Sequence, residues 1–132
     1  MSEAAGIPIE ILMVDDEARV ADALAFAVEG TGATIRAASN AGEMWAALAE
    51  RLPNVILLDM HVGIELGVEI CRALRASPTT AELPIVALSG FADAVTKDLA
   101  FQAGVDDFIT KPFTPTDLLL RVRAQIARRA RS

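Results

Sequence analysis

Val55-Ile56-Leu57-Leu58-Asp59-Met60 is an apolar run that drives straight into a carboxylate. Four consecutive aliphatic residues after Pro53 are too short for a buried helix, and they suit a strand covered on both faces, as in a parallel sheet. Two other runs share the pattern. Ile9 to Val14 (IEILMV) ends abruptly in Asp15, Asp16 and Glu17, and Pro84 to Leu88 is followed by Ser89-Gly90. Ala33 to Ala37 is a weaker strand suited to a sheet edge, and Asp107 to Thr110 is a short one before Lys111-Pro112.

Segments of helical period separate these strands. Val20, Leu24 and Val28 recur every four residues, and Gly30 and Gly32 stop that helix. Asn40 with Glu43 resembles a capping box, and the helix behind it is expected to bury Met44, Leu48 and Leu52 before Pro53. A loop through Gly63 leads to a helix with Val68, Cys71 and Leu74 on one side, ended by Ser77-Pro78. Asp93 is a candidate N-cap for a helix carrying Val95 and Leu99, closed by Gly104. Thr114 caps the last helix, with Pro115 at its first position and Leu119, Val122 and Ile126 on one face. Five β–α units in succession predict a doubly wound α/β domain: a five-stranded parallel sheet, helices on both sides and right-handed crossovers.

The chain has 132 residues, 53% of them hydrophobic and 23% charged, which suits one globular domain over 1–132 with short loose ends at 1–6 and 129–132. A net charge of −6 at pH 7 disfavours nucleic acid and anionic membrane as direct partners. Cys71 is the single cysteine, so no intramolecular disulfide forms and a reducing, cytoplasmic location is expected. Neither a secretory leader nor an apolar stretch of about 20 residues is present, so no membrane association is expected.

In open parallel sheets, ligands bind outside the carboxyl ends of the strands. Asp15-Asp16, Asp59, Ser89 and Lys111 all stand at such ends, so three carboxylates, a hydroxyl and an ammonium are expected on one rim. Crowded carboxylates repel unless a cation compensates, and Mg²⁺ prefers oxygen ligands. A carboxylate held there is also a nucleophile toward phosphorus, with Lys111 and Ser89 available to neutralise charge.

The pieces VDDE, VILLDM, ALSG and GVDDFITKPF, in this order and spacing, resemble the receiver domains of two-component response regulators over Ile9 to about Arg128. The resemblance implies a flavodoxin-like sheet of strand order 2-1-3-4-5. It implies that Asp59 accepts a phosphoryl group from a histidine kinase or phosphotransfer protein. Asp15, Asp16, Asp59 and the backbone carbonyl of His61 would hold Mg²⁺, and Lys111 would pair with the phosphoryl group, before a cis bond to Pro112. Ser89 would hydrogen-bond a phosphoryl oxygen, and Phe108 would follow it inward as the switch aromatic. The face formed by helix 4, strand 5 and helix 5 would then change, signalling to a downstream target or forming a homodimer. The protein would be no enzyme beyond slow self-dephosphorylation.

Three positions depart from the family pattern. Gly63 stands where relatives commonly have Pro, which frees the loop from Met60 to Gly67. Phe91 replaces a polar residue that orients water in several relatives, so slow loss of the phosphoryl group is expected. Phe108 lacks the hydroxyl of the Tyr found in many relatives.

Other residues carry blander expectations. His61, the only histidine, has no side-chain role, and Asp106 and Asp107 face solvent at the entrance to the last strand. Cys71 is expected in the core, and Trp45 packs or sits half-exposed without a cofactor role. The arginines at 121, 123, 128, 129 and 131 form either a solvated helix end or an interaction face leading to an output domain. Two other functions compete. A Mg²⁺-dependent phosphohydrolase with an aspartyl nucleophile is disfavoured because His61 stands where a second Asp is needed, and a pseudo-receiver module is disfavoured because all five functional side chains are present.

Overall fold

The computed structural model describes residues 7–62, 65–90 and 94–131. Strands β1 (Ile9–Val14), β2 (Ala33–Ala38), β3 (Val55–Asp59), β6 (Ile85–Ser89) and β7 (Asp107–Thr110) form one parallel sheet in the order β2-β1-β3-β6-β7. Counted within that sheet alone, this is the expected order 2-1-3-4-5. Helices α1 (Ala18–Ala27), α2 (Ala41–Glu50), α3 (Gly67–Ala76), α4 (Ala94–Ala103) and α5 (Pro115–Ala130) alternate with the strands. The two-residue strands β4 (His61–Val62) and β5 (Glu65–Leu66) pair antiparallel as a small hairpin between β3 and α3. Gly63, Phe91 and Asp93 lie outside the described residues.

Strand side chains alternate between the two faces of the sheet, so each buried strand feeds two cores. Leu12, Val14, Ile56 and Leu58 pack with Met44, Leu48, Ile70, Cys71 and Leu74 on the face covered by α2, α3 and α4. Ile11, Met13, Val55 and Leu57 pack with Leu24, Val28, Leu118 and Val122 beneath α1 and α5. This is why β1 and β3 read as unbroken apolar runs: both of their faces are covered.

Local signals at the helix ends match the sequence expectations. Asn40 Oδ1 accepts from the Glu43 N–H at 2.8 Å, while Glu43 Oε1 accepts from the Ser39 N–H at 2.7 Å, a reciprocal cap shifted back by one residue. Thr114 Oγ1 accepts from the Asp117 N–H at 3.1 Å. Thr114→Ala should cost about 1 kcal/mol of stability, measured by chemical denaturation.

Three expectations about burial fail. Leu52 lies beyond the end of α2 and is exposed, because the chain turns extended at Arg51 to reach β3. Val95 and Leu99 face outward, and α4 instead presses Ala100 and Ala103 against the sheet. Small residues let the helix approach closely, leaving its larger apolar groups outside. On α5 the expected face holds, with Val122 buried and Leu119 and Ile126 packed against the same core, and Leu118 joins it fully buried.

The third correction concerns Asp106, whose side chain is only 3% exposed. Its oxygens accept from Arg75 Nη2 at 3.0 Å, Arg128 Nη2 at 2.9 Å, Arg129 Nε at 3.0 Å and the Ile85 N–H at 2.9 Å. Asp107 is also held, by Arg121 Nη2 at 2.7 Å and Nε at 2.9 Å. Arg121, Arg128 and Arg129 thus complement carboxylates at the start of β7, and α5 runs to Ala130. Arg75 reaches the cluster across Gly104, whose φ of +116° and lack of a Cβ leave room; a Cβ there would sit 2.9 Å from Arg75 Cγ. Burial, then the Arg129 charge, pushes the Arg75 pKa down, so Asp106 is the counter-charge that lets it stay ionised inside.

Candidate functional site: a carboxylate pair and a lysine at the sheet rim

Sheet register alone assembles the site. Val14 lies beside Leu58 in the β1–β3 pairing, so the next residues, Asp15 and Asp59, emerge as neighbours. Ladder hydrogen bonds continue into the rim: Asp15 N–H to Ala38 O at 3.0 Å, Met60 N–H to Leu88 O at 2.9 Å and Lys111 N–H to Ser89 O at 2.8 Å. The functional side chains therefore stand on ordered backbone.

Asp15, Asp59 and Ser89 are all buried. Lys111 Nζ donates to Asp59 Oδ2 at 2.8 Å and lies 3.4 Å from Asp15 Oδ2. The other oxygen of each acid is held by backbone: His61 N–H donates to Asp59 Oδ1 at 2.8 Å, and Glu17 N–H to Asp15 Oδ1 at 2.9 Å. Burial raises the Asp15 pKa, with the Asp59 charge adding to it and the Glu17 N–H and Lys111 opposing. Burial alone would lower the Lys111 pKa, but its hydrogen bond to Asp59 and both carboxylate charges outweigh this and leave it raised. One lysine thus serves two buried acids, an arrangement short of positive charge.

Asp16 is exposed, and among the described residues no three His, Cys, Asp or Glu side chains converge on one point. The expected trio of carboxylates is a pair in this structure, because Asp15 continues the ladder of β1 while Asp16 lies beyond it. The donors present are nevertheless hard oxygens with an uncompensated charge, and that set fits a small divalent cation.

Ser89 is fully buried at the end of β6, beside Thr110 in register. Phe108 is 5% exposed, packed in the core beneath α4, with Lys97 Nζ 5.9 Å from its ring centroid. The aromatic expected to move inward is already there. The Lys111–Pro112 bond is cis, as the resemblance implies. Cys71 is core: its thiol pKa is raised by burial and its Sγ donates to Ala103 O at 3.4 Å. Two residues near the rim escaped sequence reasoning. Met60 is buried behind Asp59, and Gly67 packs against the same backbone. No local pattern marks either, since their contacts arise only when α3 docks.

A doubly wound sheet with an acid pair and a lysine at its carboxyl rim defines a class, and comparison with known proteins agrees. Residues 11–123 match the response regulator receiver domain, and the chain belongs to that family. It is 36% identical over 118 residues to the phosphate regulon transcriptional regulatory protein PhoB of Pseudomonas aeruginosa, covering 89% of this chain and 52% of PhoB. It is 37% identical over 119 residues to the transcriptional regulatory protein ResD of Bacillus subtilis, covering 90% of this chain and 48% of ResD. The chain therefore spans about half the length of these curated relatives. The crystal structure of a putative response regulator from Chloroflexus aurantiacus superposes with a TM-score of 0.84 at 32% identity, covering 91% of this chain and 98% of that one. No helix among the described residues is long and apolar enough to cross a membrane.

Proposed function

We propose that Asp59 is the phosphoacceptor of a two-component signalling switch, receiving a phosphoryl group from a phosphohistidine of a histidine kinase or phosphotransfer protein. The observation that carries this reading is the Lys111–Asp59 contact at 2.8 Å, with Asp15 beside it, at the carboxyl rim of the sheet. A carboxylate oxygen of Asp59 attacks phosphorus, the P–N bond breaks, and the imidazole nitrogen of the donor keeps the electron pair. The His61 N–H holds the Asp59 carboxylate in a fixed orientation. Lys111 neutralises charge as the phosphoryl group arrives, and Ser89 offers its hydroxyl to a phosphoryl oxygen. Asp15, Asp16, Asp59 and the His61 backbone carbonyl would hold Mg²⁺, which supplies further charge neutralisation when bound.

The new phosphate adds about −1.5 to −2 charge at the rim. Lys111 and Ser89 are joined through their backbones, so a pull on either shifts the balance between two arrangements of the α4, β7 and α5 face. Exposed Phe101 on α4 and Leu120 on α5 offer that face apolar groups for a downstream partner or a second copy, whereas Leu99 lines a groove against α3. Because Phe108 already lies inward, the switch reads out through α4 and Ser89 more than through rotation of that ring.

Intact mass spectrometry after incubation with acetyl phosphate and Mg²⁺ tests the reading. One added phosphoryl group is expected, and chelation of Mg²⁺ should suppress it. No added mass, with the protein folded, would leave a pseudo-receiver as the better description. Asp15→Asn should raise stability without Mg²⁺ by about 1 kcal/mol, the scale of a single favourable change, because it removes a buried charge beside Asp59. The same variant should lose any Mg²⁺-induced rise in Tm, which thermal melts with and without the ion would reveal.

A further inference from the structure

Gly67 opens α3 immediately after the β4–β5 hairpin, and its backbone has no left-handed requirement. Its lack of a side chain has another cause. A Cβ built there would lie 2.5 Å from the Asp59 carbonyl oxygen, 2.6 Å from Met60 Cα and 2.8 Å from Met60 Cε. The first two are backbone atoms that cannot swing aside. The Gly67 N–H also donates to Met60 O at 2.9 Å, so the start of α3 is fastened to the peptide that follows Asp59. On its other side Met60 is fastened to Leu88 O through its own N–H at 2.9 Å. The segment is gripped from both directions and has no slack.

The same backbone carries the polar groups that aim Asp59. His61 N–H, one peptide further on, donates to Asp59 Oδ1 at 2.8 Å, and His61 pairs with Leu66, the hairpin residue just before Gly67. A residue with a side chain at 67 must push Asp59 O and Met60 away from α3. It thereby moves the His61 N–H relative to the carboxylate and the carboxylate relative to Lys111.

We infer that Gly67 is a positioning residue for the Asp59 carboxylate: its missing Cβ sets the geometry in which Asp59 meets Lys111 and the His61 N–H. This rests on Asp59 being the phosphoacceptor. Gly67 touches none of the reacting atoms and acts through the Asp59–Met60 backbone. A displacement on the order of 1 Å at a reacting group can cost about 100-fold in rate.

The experiment compares phosphorylation rates with acetyl phosphate and Mg²⁺ for the wild type, Gly67→Ala, the double variant Met60→Ala/Gly67→Ala and Leu74→Ala. Leu74 is fully buried far along α3, so its truncation lowers stability without touching the rim. Gly67→Ala should slow phosphorylation by about 10- to 100-fold while circular dichroism shows a folded protein. Leu74→Ala, with an equal or larger fall in Tm, should keep the wild-type rate. The double variant removes only the Met60 Cε contact and should stay slow, since the backbone contacts remain. A wild-type rate in folded Gly67→Ala, recovery in the double variant, or equal slowing in Leu74→Ala would each overturn the inference. So would failure of both alanine-67 variants to fold, which would make Gly67 a requirement of the fold. A wild type that takes up no phosphate would instead overturn the phosphoacceptor reading on which it rests.

Discussion

Asp59→Asn will take up no phosphoryl group from acetyl phosphate and Mg²⁺, and it will fold at least as stably as the wild type. Both halves follow from one geometry. Asp59 and Asp15 are buried acids sharing Lys111, at 2.8 and 3.4 Å. An amide at position 59 keeps an oxygen for the Lys111 ammonium or the His61 N–H, and it removes one of two crowded charges. The fold therefore loses little, while the nucleophile is gone, because an amide oxygen does not displace the leaving group as a carboxylate does. Intact mass and a thermal melt on the same sample measure both effects. Phosphate retained at another residue, or a large fall in Tm, would sink the assignment of Asp59 as a strained functional acid.

Asp106→Ala is expected to produce the largest loss of stability of any single change at a polar residue. The carboxylate is the shared counter-charge of Arg75, Arg128 and Arg129, the last also paired with Glu82, and it accepts the Ile85 N–H at the start of β6. Its removal strands a largely buried Arg75 and leaves three like charges together. Breaking a buried ion network from one side costs about 3–5 kcal/mol. Arg128 is well exposed and relaxes into water, so the loss comes chiefly from Arg75, Arg129 and the Ile85 N–H. A fall in Tm of about 10 °C is the corresponding thermal signature. Arg128→Ala should cost under about 1 kcal/mol, as an exposed pair does, and urea denaturation of the two variants side by side separates the buried contribution from the exposed one. Equal, small effects from both would mean that Asp106 is effectively solvated.

The elements whose information is local were legible in the chain. The runs IEILMV and VILLDM are strands because both faces of each are covered, and that shows in composition without any partner in view. Asn40 and Thr114 cap helices through hydrogen bonds spanning three residues, a distance that sequence patterns reach. Helix faces were less legible. Val95 and Leu99 share a period on α4, but Ala100 and Ala103 meet the sheet. Periodicity shows that a face exists; the space left between helix and sheet decides which face fits.

The sequence by itself determined the order of strands and helices, the family, and the place of Asp15, Asp59, Ser89 and Lys111 at strand ends. Strand ends in a parallel sheet all point to one side, so a residue's place at the end of its own strand suffices to put it there. Tertiary structure alone decided which charges meet. Lys111 reaches Asp59 across 52 residues and Arg75 reaches Asp106 across 31, while Asp16, adjacent to Asp15 in the chain, stays exposed. It also decided that Phe108 lies inward and that nothing larger than glycine fits at 67. Such contacts depend on how α3, α4 and α5 dock, and close packing resolves fractions of an ångström that no local pattern encodes.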